Sequence, residues 1–125
     1  MKTACANNLK QMTLAVRLWA DDHHGVFPPD IVSMSNMLYR PNVLVCPADG
    51  RRIAVDWASF GPANCSYDYL APSANDLEPT RVLFRCPIHG NYALCDGSVQ
   101  SVSAEAASSG LVQRDGKLYL EFKNP

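Results

Sequence analysis

The stretch TACANNLKQMTLAVRLWADD, residues 3–22, decides the architecture. Cys5, Leu9, Met12, Val16 and Trp19 recur at i, i+4, i+7, i+11 and i+14, so at about 100° per residue they share one narrow arc of a helix. That arc is the core face. Leu14 and Leu18 stand i, i+4 on nearly the opposite side, an apolar patch that the domain's own core does not need. It reads equally as two scattered surface leucines or as a contact for a partner helix. The pattern ends in Asp21-Asp22-His23-His24-Gly25, where Gly25 suits the left-handed residue after a helix and Pro28-Pro29 bar continuation.

Beyond a short helix or turn at residues 32–39, the pattern changes to strands punctuated by Gly, Pro, Asn and Asp. Candidate strands are residues 43–46, 52–60, 66–70, 82–85, 91–95, 98–102 and 117–122. The clearest signal is a hairpin about Asp96-Gly97, a pair suited to a two-residue type I′ turn because both positions need positive φ. Arg114-Asp115-Gly116-Lys117 repeats it before the last strand, and the Ala-rich residues 103–109, followed by Gly110, predict a short helix between them. A helix first and antiparallel strands afterwards define an α+β fold: a long N-terminal helix packed on an antiparallel sheet.

At 125 residues the chain is a single domain, 1–125, and 47% apolar residues suffice for a core. Eleven Lys+Arg against twelve Asp+Glu, with no run of like charge, lack the electrostatic footprint of a nucleic-acid binder or a polybasic membrane patch. No apolar stretch approaches the roughly 20 residues that cross a bilayer. Met1-Lys2 leads straight into the helical pattern, as in a segment of a longer protein. The five cysteines, at 5, 46, 65, 86 and 95, allow two bridges at most and leave one thiol over.

Two of them open echoed turns: Cys46-Pro47-Ala48-Asp49-Gly50 and Cys86-Pro87-Ile88-His89-Gly90. Zinc knuckles use Cys-Pro-x-Cys-Gly, in which Pro tightens the turn, Gly permits the positive φ that closes it, and both ligands face one ion. Asp49 and His89 replace the second cysteine of each turn and are themselves zinc ligands. If the turns meet, Cys46, Asp49, Cys86 and His89 can form a four-ligand structural site for zinc; without it no cofactor is expected. Two other readings stand beside it: a Cys46–Cys86 disulfide closing a forty-residue loop, or buried free thiols. Cys65 and Cys95 fall within strand patterns and read as core residues. Nucleophilic catalysis has its residue types in Cys86, His89 and Asp96, but the first two are turn neighbours and Asp96 is explained by its hairpin, so no enzymatic activity is expected. Asp21-Asp22-His23-His24-Gly25 lacks the alternating ligands of a calcium loop and reads as a solvated helix end.

Cys5-Ala6-Asn7-Asn8-Leu9-Lys10-Gln11-Met12, followed by Leu18-Trp19-Ala20-Asp21-Asp22 and Gly25-Val26-Phe27-Pro28, resembles the segment after the membrane helix in type IV pilin-like and type II secretion pseudopilin-like proteins, the prepilin-type family of planctomycetes and verrucomicrobia. Val45-Cys46-Pro47-Ala48-Asp49, Ser66-Tyr67-Asp68-Tyr69-Leu70 and Cys86-Pro87-Ile88-His89-Gly90-Asn91 with Asp96-Gly97-Ser98-Val99 extend the resemblance through the family's His to Asp-Gly signature. The interval from His89 to Asp96 is shorter than in the commonest form of that signature. The resemblance implies a pilin fold, with residues 1–25 the distal part of the N-terminal helix and 43–125 the sheet region. It also implies a non-catalytic subunit of an extracytoplasmic pilus or pseudopilus filament, whose partners are other pilin or pseudopilin subunits, and that exported location favours the Cys46–Cys86 bridge over the metal site. In the full-length form a prepilin leader and an apolar half-helix would precede Thr3, be processed and methylated, and anchor the protein to the inner membrane. The alternative reading of the residues is a small zinc-ribbon-like metal-binding interaction module, and neither reading involves nucleic acid.

Overall fold

The stripe of residues 3–22 forms α1 (Lys2–Asp21), a 20-residue helix, in a computed structural model that describes residues 2–38, 41–50 and 53–121. Cys5, Leu9, Met12, Val16 and Ala20 are buried along it, and Leu14 and Leu18 remain 58% and 44% exposed on the far side. Trp19 packs against the same core but is only half-buried, at the rim of the stripe, where it stacks on His23 with ring centroids 3.4 Å apart. The helix closes where Gly25 N–H returns to the Ala20 carbonyl at 2.9 Å, with His24 and Gly25 both in the left-handed region.

A 3-10 turn (Val32–Met34) leads into α2 (Ser35–Leu38), after which the chain departs from the expected strands. Instead of a strand at 43–46 there is a 3-10 turn, Pro41–Leu44. Pro41 has a fixed φ and no N–H to contribute to a sheet, and the apolar run is buried on every side, a pattern that four residues of helix or strand present alike. Instead of a strand at 52–60 there is a turn, Trp57–Ser59, because the Asp56 carboxylate accepts the Ser59 N–H at 3.0 Å and closes the backbone locally. A further 3-10 turn, Pro62–Asn64, follows. The sheet therefore begins at Asp68 and not at residue 43. Tyr39, Arg52 and Phe122, the outer residues of three predicted elements, lie outside the described residues.

The sheet is antiparallel in the order β1 (Asp68–Tyr69), β2 (Val82–Arg85), β3 (Asn91–Leu94), β4 (Val99–Ser101). After α3 (Ala104–Gly110), whose first turn is capped by Ser103 Oγ accepting Ala106 N–H at 3.1 Å, β5 (Leu111–Arg114) and β6 (Lys117–Leu120) form a second, two-stranded sheet. The strand β5 was not evident in the sequence pattern. Asp115 and Gly116 both take positive φ, as the type I′ reading requires. At Asp96-Gly97 only Gly97 does; Gly97 N–H bonds to the Leu94 carbonyl and Leu94 N–H to that of Ser98, which makes a three-residue loop with Gly97 at its left-handed position.

Helix α1 covers one face of the sheet, packing with Leu83, Phe84, Ala93 and Cys95, while Met34, Leu38 and Leu44 close the flank. A bulge between Val82 and Phe84 breaks the alternation of β2, so Leu83 and Phe84 both join the α1 side. On the opposite face Val82, Tyr92 and Leu94 meet Leu120, with Leu111 and Leu118 of the second sheet packed against them. Each fully buried Leu, Met or Phe contributes about 1.5–3 kcal/mol of transfer free energy, and seating α1 on the sheet buries several of them at once. It also carries Cys5, near the start of α1, onto the turns that follow residue 44 and β2.

Candidate metal centre

Cys5, Cys46, Cys86 and His89 converge, with their Sγ atoms and a ring nitrogen all within 4.8 Å of one another. Three separate parts of the chain supply them: α1, the segment after the Pro41–Leu44 turn, and the connection from β2 to β3. The three cysteines are at most 2% exposed and His89 is partly buried. His89 Nδ1 lies 3.3 Å from Cys46 Sγ and 3.7 Å from Cys86 Sγ.

Each echoed turn folds its backbone toward its own sulfur. His89 N–H points at Cys86 Sγ at 3.4 Å, joined by the Ile88 backbone, and the Ala48 backbone does the same for Cys46. On the helix side, the Tyr67 hydroxyl donates to Cys5 Sγ at 3.7 Å and accepts from Asn8 Nδ2, which also donates to the Val45 carbonyl. Burial pushes the Cys86 thiol up to about 12, with the His89 and Ile88 backbone bonds opposing it. Burial likewise raises Cys46 against the opposing Ala48 bond. Left to themselves the Cys46 and Cys86 sulfurs are neutral thiols, and a bound cation reverses that balance.

Of the four residues read from the echoed turns, Cys46, Cys86 and His89 come together and Asp49 does not join them. Its carboxylate accepts the Ser66 hydroxyl at 2.7 Å, and Ser66 Oγ in turn accepts Cys46 N–H at 2.9 Å, so Asp49 braces the turn. Cys5 takes the fourth place. On the sequence its sulfur is indistinguishable from an apolar member of the α1 stripe, and the odd cysteine count singles out none of the five. No disulfide joins Cys46 to Cys86 in this structure, where both stand as thiols. Cys95 is buried and Cys65 partly so, in keeping with core positions.

The glycines of the two turns differ from the knuckle expectation, since neither Gly50 nor Gly90 has positive φ. Gly90 is required for another reason: a Cβ there would stand 2.0 Å from the Val102 carbonyl oxygen. Asp96 is held in its hairpin, accepting Ser98 N–H and Oγ–H at 2.8 and 2.6 Å. The cluster brings together soft sulfur donors and an imidazole, the donor set of a tetrahedral structural site. Comparison with protein-family models, with curated proteins and with solved structures gave no match.

Proposed function

We propose that this chain is the globular part of a non-catalytic subunit of an extracytoplasmic pilus or type II secretion pseudopilus-like filament, with a pilin-like fold. One observation carries the reading: α1 seats one face on the sheet and turns Leu14 and Leu18 outward on the other. A filament built by packing helices side by side needs this division, an inner face for the subunit's own sheet and an outer one for neighbouring pilin or pseudopilin helices. The sequence resemblance over residues 3–102 supports the same role.

Immunogold electron microscopy of the native cells, with antibody raised against this chain, tests the reading. Labelling along surface or periplasmic filaments is expected, and it should be lost in a Leu14→Glu, Leu18→Glu double variant whose purified chain keeps wild-type helicity. Filaments lacking the chain, or a double variant that assembles normally, would overturn it. The zinc-ribbon-like interaction module remains the second reading, and the Cys5, Cys46, Cys86, His89 cluster is the observation in its favour.

A further inference from the structure

We propose that Cys5, Cys46, Cys86 and His89 hold one zinc ion through three thiolate sulfurs and the imidazole Nδ1, and that the ion fastens α1 to both Cys-Pro turns. The inference goes beyond the filament reading and uses none of it. It does rest on the metal-binding feature shared with the second reading, to which it adds the ligand set, the ion and its structural task.

Geometry is the first argument. With Zn–S near 2.3 Å and Zn–N near 2.0–2.1 Å, a tetrahedral site has a sulfur-to-nitrogen edge of about 3.5 Å and a sulfur-to-sulfur edge of about 3.8 Å. The two distances from His89 Nδ1, 3.3 and 3.7 Å, straddle the first edge, and all four donors lie within 4.8 Å of one another. Small movements of side chains suffice to close the shell around an ion.

The surroundings of the sulfurs are the second argument. Backbone amides face Cys46 and Cys86, and the Tyr67 hydroxyl faces Cys5, so every sulfur has a donor directed at it. Donors outside the ligand shell orient metal-bound thiolates and spread their charge. A disulfide between any two of these sulfurs would leave the third and the imidazole without a use, whereas one ion engages all four. Three thiolates with one imidazole select zinc over harder cations, and a shell made wholly of protein ligands, with its cysteines buried, belongs to a structural and not a catalytic site. Because Cys5 comes from α1 and the others from loops on the sheet side, the ion fixes where the helix sits.

Native mass spectrometry of the full chain, purified under reducing conditions with added zinc, should find one zinc per chain in the wild type, in Cys65→Ser and in Asp49→Asn. Cys5→Ser and His89→Phe should fall to a small fraction of that occupancy. Cobalt-loaded wild-type protein provides a readout that does not depend on variant folding: tetrahedral d–d bands and thiolate charge transfer from three sulfurs are expected. Absence of zinc from the reduced wild type would overturn the proposal, as would full occupancy in folded Cys5→Ser, a cobalt spectrum with two thiolates, or iron or copper in place of zinc. A Cys46–Cys86 cross-linked peptide in chain isolated without reductant, with no uptake of zinc after reduction, would overturn it too. Filament labelling is unaffected by any of these outcomes.

Discussion

The carbonyl oxygen of Val102 stands 2.0 Å from the point where a Cβ on Gly90 would be, and Val102 N–H bonds to the Gly90 carbonyl at 2.7 Å. The backbone just beyond β4 is thus pressed against the residue next to His89. Gly90→Ala should cost about 1–3 kcal/mol or more, because backbone and not a flexible side chain would have to give way. Its counterpart Gly50 has nothing within 4 Å among the described residues, so Gly50→Ala should stay within about 0.5 kcal/mol of wild type. Urea denaturation of the two variants checks the contrast, and equal losses would contradict it.

Tyr67 acts on the cluster from outside it. Tyr67→Phe removes the hydroxyl that donates to Cys5 Sγ and should weaken zinc binding by about 10–100-fold while leaving the stoichiometry at one ion per chain. Competition with a chromophoric chelator measures this, and unchanged affinity would mean that the hydroxyl does not support the sulfur.

The two faces of α1 should respond differently to truncation. Leu9→Ala empties a fully buried position and should cost about 2–5 kcal/mol, whereas Leu14→Ala should cost the isolated chain about 0.5 kcal/mol or less. Trp19→Ala should fall between them, since its ring is half-buried and its stacking partner His23 is exposed. A denaturation series that ranks Leu14 above Leu9 would contradict the helical phase.

Acid should loosen the β5–β6 sheet. Hydrogen bonds from Arg114 and Thr80 hold the Glu121 carboxyl below its usual range, and a hydrogen bond from Tyr119 does the same for Glu78. A carboxylate depressed in the folded state stabilises at pH above its unfolded value, about 4.3, and the contribution fades as pH falls through the lower folded value. The gap in urea midpoint between wild type and Glu121→Gln should therefore be present at neutral pH and close as pH falls below about 4. A gap independent of pH would show that the Arg114 pair does not contribute through charge.

Regular elements with many periods were legible in the sequence, and short ones were not. α1 offers five turns of repeating pattern and β2 to β4 sit between unambiguous turns, so their placement follows from local chemistry. Residues 43–46 offer one apolar run with no period, and Pro41 decided it for a 3-10 turn. In residues 52–60 the side chain of Asp56 outcompeted the sheet for the Ser59 amide. The strand β5 had one available cue, the Asp-Gly turn that follows it. At the site, the echoed turns found three of the converging residues because their spacing is local. Cys5 escaped because only tertiary packing distinguishes a cysteine among apolar neighbours from one aimed at other sulfurs, and Asp49 was misplaced because Ser66, far away in sequence, engages it.

The cluster also sets an order of events during biosynthesis. Cys5 is the first of its four residues to be made and His89 the last, and at about 5–20 residues per second roughly 4–17 seconds separate them. Over that interval α1 has neither the β2–β3 connection to meet nor the sheet that will cover Leu9, Met12 and Val16. Its early partners from the chain itself are the residues around Met34, Leu38 and Leu44, which emerge before any strand. Until β2 and β3 have followed it off the ribosome, the apolar stripe of α1 lacks the sheet residues that cover it in the folded chain, so the helix is the part of this domain longest in need of a cover.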